Sequence, residues 1–289
     1  MFEKVLVALD FSPNSQKILE HIAEIPGIKE VVLLHIVDAT APSRHGWTHD
    51  PHIENIKILL AEKKEYLEKL GLTVITSVDV IANVITQGSV PQAIVEAAES
   101  HNVSLIIIGA RGMNPVQELL LGSVSSTVLR NATMSVLTMR PDPVSCTGSA
   151  THNPLFSNVL VPTDFSKPAD DVISVLKAFE GMKKIVLLHV VSRAESKPEI
   201  NDCVANAQAR LAKIQKDLTA AGVAATSHVR VGDPTEMILS VAEEDNVSLI
   251  AMNAHGTDWL REMLLGSTTF TVVRRTKRPV MAIRTMQET

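Results

Sequence analysis

The sequence is poor in the features that assign a chain quickly. Only two cysteines occur among 289 residues, Cys146 and Cys203, too few for a disulfide framework or a four-ligand zinc site. Long apolar runs are missing: "VVLLHIV" and "SLIII" are strand-sized, far below the roughly 20 residues of a bilayer-crossing helix. The opening "MFEKVLVALDF" sets Glu3 and Lys4 before a short apolar stretch with no cleavage-site pattern after it, unlike a secretory signal. A basic stripe is lacking as well. The net charge of −5 argues against nucleic acid as the main partner. These absences lead to the expectation of a soluble cytoplasmic α/β protein, long enough for two domains with real cores.

What is present is duplication, which decides the architecture. "VLVALDFS" at 5–12 returns as "VLVPTDFS" at 159–166, and "VVLLHIV" at 31–37 as "IVLLHVV" at 185–191, both 154 positions later. Gly71 meets Gly222 at 151 and Gly88 meets Gly232 at 144, so the first copy carries three and then seven additional residues. From there the spacing holds: Gly112 meets Gly256, "LLGS" at 120–123 meets 264–267, and "VLTMR" meets "VMAIR". The ordered matches define domains at 1–142 and 156–289. The linker, 143–155, overlaps "PDPVSCTGSATHNP" at 141–154, which is rich in Pro, Ser, Thr and Gly and has no apolar period.

In the first copy, β-branched runs at 4–9, 31–37, 83–87, 104–108 and 135–139 predict strands, and segments near 13–24, 53–70, 91–101 and 123–131 predict helices. In "IENIKILLAEKKEYLEKL" the residues Ile56, Leu59, Leu60, Leu67 and Leu70 recur close to a 3.6 period, with charges opposite. Strands that are apolar throughout are buried on both faces of a parallel sheet. The expected class is therefore α/β: two tandem, doubly wound domains, each an open parallel sheet with helices on both faces.

Ligands of such sheets sit beyond the carboxyl ends of the strands, where the winding reverses. Asp10 follows "VLVAL", and "GARGMNPVQELLLGS" follows "SLIII". Gly109 and Gly112 are expected to turn the chain sharply and bring bare backbone N–H groups to a ligand. Gly122 precedes a helix starting near Ser123, whose first amides are unpaired and partly positive. Ser123 either caps that helix or donates its hydroxyl to a phosphate oxygen. Arg111, inside the glycine turn, offers charge-assisted contacts to phosphates. No Gly-Lys-Ser/Thr ending follows, so this is not a Walker loop.

The spacing Gly-x-x-Gly, nine residues, Gly-Ser resembles the nucleotide signature of the ATP-binding branch of the universal stress protein family, in its tandem two-domain form. Gly109, Gly112, Gly122 and Ser123 match it in full, and both halves of the chain are covered. The resemblance implies Rossmann-like domains of the adenine nucleotide alpha hydrolase type with five-stranded sheets, packed as an intrachain pseudo-dimer, with further association to a homodimer. It also implies that Asp10 lies near adenine and ribose, that Ile36 lines the adenine side, and that Val124 contacts phosphate. In the second copy Asp164, Val190, Gly256, Gly266 and Ser267 are retained, but Asn253 replaces the first glycine and His255 stands for Arg111. Asparagine tolerates left-handed backbone, yet its side chain occupies space a phosphate needs, so the second site is expected to be weaker.

"SRHGWTHDPHIE" carries His45, His49 and His52 with Asp50 and Glu54. Lacking a recognised ligand framework, it reads as a surface loop rather than a metal site; Trp47 could cover a base or a neighbouring domain. His35 and His189 recur within apolar strands, which suggests a shared hydrogen bond at the strand end rather than a catalytic base. The functional expectation is a regulatory, stress-response protein binding ATP or AMP, with magnesium as a candidate companion of the phosphates and an unidentified regulatory protein as partner. The competing readings are a slow ATP hydrolase, which lacks a clear base or bridging lysine, and a scaffold that binds no nucleotide.

Overall fold

A computed structural model describes residues 2–38, 51–81, 89–110, 121–140, 154–192, 197–254 and 265–284. The chain divides into two compact units, Met1–Pro141 and Asp142–Thr289.

In the first unit the order is β1 (Lys4–Ala8), α1 (Pro13–Ile22), β2 (Glu30–Asp38), α2 (Pro51–Lys69), β3 (Thr73–Ile81), α3 (Val90–Ser100), β4 (Leu105–Gly109), α4 (Ser123–Asn131) and β5 (Ser135–Met139). Its strands lie in the order β3-β2-β1-β4-β5, and each pairing is parallel. The second unit repeats this with β6 (Val159–Pro162), α5 (Lys167–Lys177), β7 (Lys184–Val191), α6 (Lys197–Ala220), β8 (Ala224–Val231), α7 (Pro234–Glu244), β9 (Leu249–Asn253), α8 (Ser267–Arg275) and β10 (Val280–Ile283). Its strand order is β8-β7-β6-β9-β10, again with parallel pairing.

The central strands are buried along their length. Val5, Leu6 and Val7 of β1 and Leu105, Ile106 and Ile107 of β4 are buried, as are Val159, Leu160 and Val161 of β6. Continuous apolar runs of this kind need cover on both faces, which the crossover helices supply. The duplication extends to backbone conformation. Left-handed residues pair at the repeat spacings: Phe11 with Phe165, Gly27 with Gly181, Gly71 with Gly222, and Asn102 with Asn246.

Two expected boundaries move. The third strand runs over Thr73–Ile81, not 83–87. Glu30 pairs with Thr73 there, and Val37 with Val80. This strand lies at the sheet edge, so beside buried Val74 it carries exposed Thr73 and Thr76 instead of being apolar throughout. The seven additional residues of the first copy thus fall between Val80 and Pro91, not inside the strand. Helix α2 begins at Pro51 rather than 53, since proline suits a first helical position.

Candidate functional site

The winding reverses between β1 and β4, which are hydrogen-bonded neighbours with Ala8 abreast of Ile108. Counting on from that register, Gly109 stands level with Leu9, one residue before Asp10. On the other side Ala8 is abreast of Leu34, which puts His35 level with Leu9 and Ile36 level with Asp10. In the second unit Pro162 pairs with Leu188 and Leu160 with Ile250. The same counting sets Val190 level with Asp164 and Asn253 level with Thr163. Asp10, Ile36 and Gly109 therefore converge at one crevice, and Asp164, Val190 and Asn253 at its counterpart.

A turn follows the first strand of each unit. Asp10 Oδ1 accepts from the Ser12 N–H at 3.0 Å, and Asp164 Oδ1 from the Ser166 N–H at 2.9 Å. One carboxylate oxygen of each aspartate is thus committed to shaping its own loop. Between them Phe11 and Phe165 hold left-handed φ values of 56° and 62°, an unfavourable region for a bulky residue that its surroundings must hold in place. The histidines of the second strands do this. His35 Nδ1 contacts the Leu9 carbonyl oxygen at 2.7 Å and His189 Nδ1 that of Thr163 at 2.8 Å. A carbonyl only accepts, so both rings carry the proton on Nδ1. The Phe11 and His35 rings lie 4.8 Å apart and the Phe165 and His189 rings 4.4 Å apart. The expected strand-end hydrogen bond is present in both copies; the left-handed phenylalanine went unpredicted.

Ala110 and Leu121 flank the part of the glycine segment that lies outside the described residues. Its ends are tied: the Gly122 N–H donates to the Ala110 carbonyl at 2.8 Å, as Gly266 does to Ala254. A second tie comes from inside the following helix. Ser125 Oγ donates to the Gly109 carbonyl at 2.6 Å, and Thr269 Oγ1 to that of Asn253 at 2.8 Å. Both hydroxyl residues are buried. They fix the start of α4 and of α8 against the adjoining strand end. Nothing in the sequence reading singled them out, although a hydroxyl residue two positions after each Gly-Ser was the available signal.

The glycines do less turning than expected. Gly109 is the last residue of β4 and pairs with Met139, so its backbone is extended. Gly122 has φ −63° and ψ 157°, open to any residue. What glycine supplies at 122 is a missing side chain. Asn253 likewise ends β9 in extended backbone, so a tolerance of left-handed geometry is not what keeps it there. Ser123 does not cap the helix: Gly122 holds the cap position with no side-chain hydrogen bond, and Ser123, exposed, is the first helical residue. Gly266 and Ser267 repeat this arrangement.

Helices α5 and α7 contrast with these, whereas α3, with Ser89 at its cap position, also lacks a side-chain cap bond and a first-turn acid. Helix α5 is capped by Ser166, which accepts from the Ala169 N–H, and has Asp170 in its first turn. Helix α7 is capped by Asp233, which accepts from the Glu236 N–H at 3.0 Å. Helices α4 and α8 have neither a capping side chain nor an acid in the first turn. Their leading amides and the positive end of the helix dipole are left available. Val124, half-buried, belongs to that first turn.

Arg111, Gly112, Gly256 and His255 lie outside the described residues, as do Cys146, Trp47, His45, His49 and Asp50. His52 falls within α2, and Glu54 there is exposed and pairs with Lys57 at 3.7 Å. Among the described residues no cluster of three or more metal-ligating side chains forms, and no helix is long and apolar enough to cross a membrane.

The model of the universal stress protein family matches residues 1–140 and 155–284. A universal stress protein of Mycolicibacterium smegmatis is 25% identical over 97% of this chain and 96% of its own length. A single-domain relative from Methanocaldococcus jannaschii is 29% identical, with 96% of its length matching 45% of this chain. Among solved structures, a universal stress protein of Archaeoglobus fulgidus superposes with a TM-score of 0.70 at 29% identity, covering 97% of this chain and 96% of that one. With two tandem domains matched end to end, and the doubly wound sheet repeated in each, the chain belongs to the universal stress protein family.

Proposed function

We propose that this protein binds an adenine nucleotide, ATP or AMP, at the crevice between β1 and β4 and acts through the bound state rather than through turnover. One observation carries the reading. In both units the helix entering the crevice begins with glycine and no cap, while helices α5 and α7 are capped by their own side chains. An uncapped helix start at a strand switch point suits a phosphate, whose oxygens accept from the leading N–H groups.

The rest of the crevice supports the same ligand. The Ser123 and Val124 amides would meet phosphate oxygens beside the bare Cα of Gly122, whose own N–H is spent on Ala110, with the Ser123 hydroxyl as a further donor and Arg111, next along the chain from Ala110, as a cation. Asp10 keeps Oδ2 for a ribose hydroxyl, and half-buried Ile36 beside it offers an apolar contact to the base. Magnesium, if it accompanies the triphosphate, would be held mainly by the phosphates. No residue among those described stands as a general base at the phosphate end, so hydrolysis is expected to be slow. The cytoplasm, where adenine nucleotides are abundant, is the fitting location. Association into homodimers and docking to a regulatory protein are consistent with a nucleotide-gated role.

Calorimetric titration of the full chain with ATP and with AMP tests this. Saturable binding at micromolar to millimolar nucleotide, with the stronger site lost in Gly122→Asp, is the expected outcome. Absence of binding at millimolar concentration to the folded protein refutes it.

A further inference from the structure

The second unit has a groove whose chemistry the first does not share. It runs between α5 and α6, with a volume of about 440 Å³, within the range of small-molecule sites. Ile173 on α5 and Ile214 and Leu218 on α6 give it an apolar floor, and Lys177, Arg210 and Lys213 give it cations. On α5, positions 173 and 177 are four apart; on α6, positions 210, 213, 214 and 218 also share one face. Floor and cations therefore come from two helix faces turned toward each other.

The cations are not equivalent. Arg210 is engaged at the crevice end: its guanidinium lies 4.0 Å over the Phe165 ring and donates to the Phe165 carbonyl at 3.5 Å. Lys177 and Lys213 are exposed and make no ion pair among the described residues. Asp170 and Asp217 also line the groove, so three cations face two carboxylates and one positive charge is in excess.

The fold does not demand these charges. The two units align at 154 over α1 and α5, and at 151 over α2 and α6. The latter is fixed by Leu60 with Leu211 and Leu67 with Leu218, all fully buried. At the matching positions the first unit has Ala23 for Lys177, Leu59 for Arg210 and Glu62 for Lys213. The two carboxylates are new as well, with Gln16 for Asp170 and Tyr66 for Asp217, and the net charge at these five positions goes from −1 to +1.

We propose that the groove between α5 and α6 binds a small amphiphilic monoanion, a medium-chain carboxylate, with its chain along Ile214 and the edge of Ile173 and its head group between Lys177 and Lys213. A single surplus positive charge matches a monoanion. The run from Asp170 to Lys177 along α5 is about 10 Å, suited to a medium chain rather than a bulky lipid. This site adjoins the second unit's crevice only at Phe165 and Arg210, and its test uses no nucleotide.

The full chain is titrated calorimetrically with decanoate below its micellar range, with decan-1-ol as the uncharged control. One saturable decanoate site per chain is expected, with decan-1-ol at least tenfold weaker. Lys213→Glu and Lys177→Glu are each expected to lower decanoate affinity about tenfold or more. Both positions are exposed, and thermal unfolding of each variant confirms that it folds. Leu59→Glu, which charges the exposed apolar face of α2 in the first unit, is expected to leave binding intact. The proposal is overturned if decanoate does not saturate by millimolar concentration, if decan-1-ol binds as tightly, or if Leu59→Glu rather than Lys213→Glu removes the site.

Discussion

At the scale of single residues, glycine at position 122 sets a preference for a ligand over helix stability. Asparagine, aspartate and serine at a helix cap outperform glycine, and a carboxylate there also complements the dipole, together about 0.5–1 kcal/mol. The backbone at 122, φ −63° and ψ 157°, already suits such a residue. Gly122→Asp is therefore expected to raise the unfolding free energy of its domain slightly, measured in urea, while removing nucleotide binding at the first unit's site by placing a carboxylate where a phosphate belongs. Opposite signs from one substitution separate a ligand site from a structural one. The histidines behave differently. His189→Ala removes the donor to the Thr163 carbonyl and the ring against Phe165, which holds a left-handed φ. A loss of about 1–3 kcal/mol is expected, read as a lower urea midpoint of the second domain. His189→Asn, which restores a donor without the ring, should recover only part of it.

At the scale of elements, pattern and geometry agree wherever a strand is buried on both faces. β1, β4 and β5 lie within a residue or so of where their apolar runs put them. β3 does not, because an edge strand shows half its residues to solvent and its "TVITSVDVI" mixes polar and apolar positions. The run after it, "NVIT", is uninterrupted by charge and drew the prediction ten residues away. The candidate site divides in the same manner. Asp10, Gly109 and the Gly-Ser helix start were legible because local spacing records them. The ties from Ser125 and Thr269 to the strand ends were not, since a hydroxyl in a first helical turn has several ordinary uses. The seam between β8 and α7 illustrates how elements are also held by charge. Ser240 and then Arg230 hydrogen-bond Glu244 and hold its carboxyl below the ordinary range. A depressed value means the stabilisation is full above the unfolded carboxylate pKa, near pH 4, and fades as the pH falls through the folded value. Ser240→Ala is expected to have a slightly lower urea midpoint than the wild type at pH 7, the two curves converging under acid. The effect is small because the group is exposed.

At the scale of the whole molecule, duplication has kept the frame and released the contents. Both units preserve the aspartate turn, the left-handed phenylalanine, the histidine clasp and the uncapped glycine helix. Outside that frame the two copies have diverged widely, and within the crevice Asn253 stands for Gly109 and Val190 for Ile36. The Asn253 carbonyl still receives Thr269 and its backbone is as extended as that of Gly109, so the substitution changes occupied volume and not the path of the chain. That argument makes the second site recoverable by one mutation. Wild-type protein is expected to bind nucleotide with two unequal affinities, and Asn253→Gly to raise the weaker one about tenfold, close to 1.4 kcal/mol, with the stronger unchanged. Calorimetry in the Gly122→Asp background isolates the second site for this measurement. Gly109→Asn in the first unit should produce the reverse shift, since it imports the same obstruction. If Asn253→Gly leaves the weaker affinity where it was, the asymmetry belongs to the neighbouring loop, where His255 replaces Arg111, and a His255→Arg change becomes the substitution that restores it.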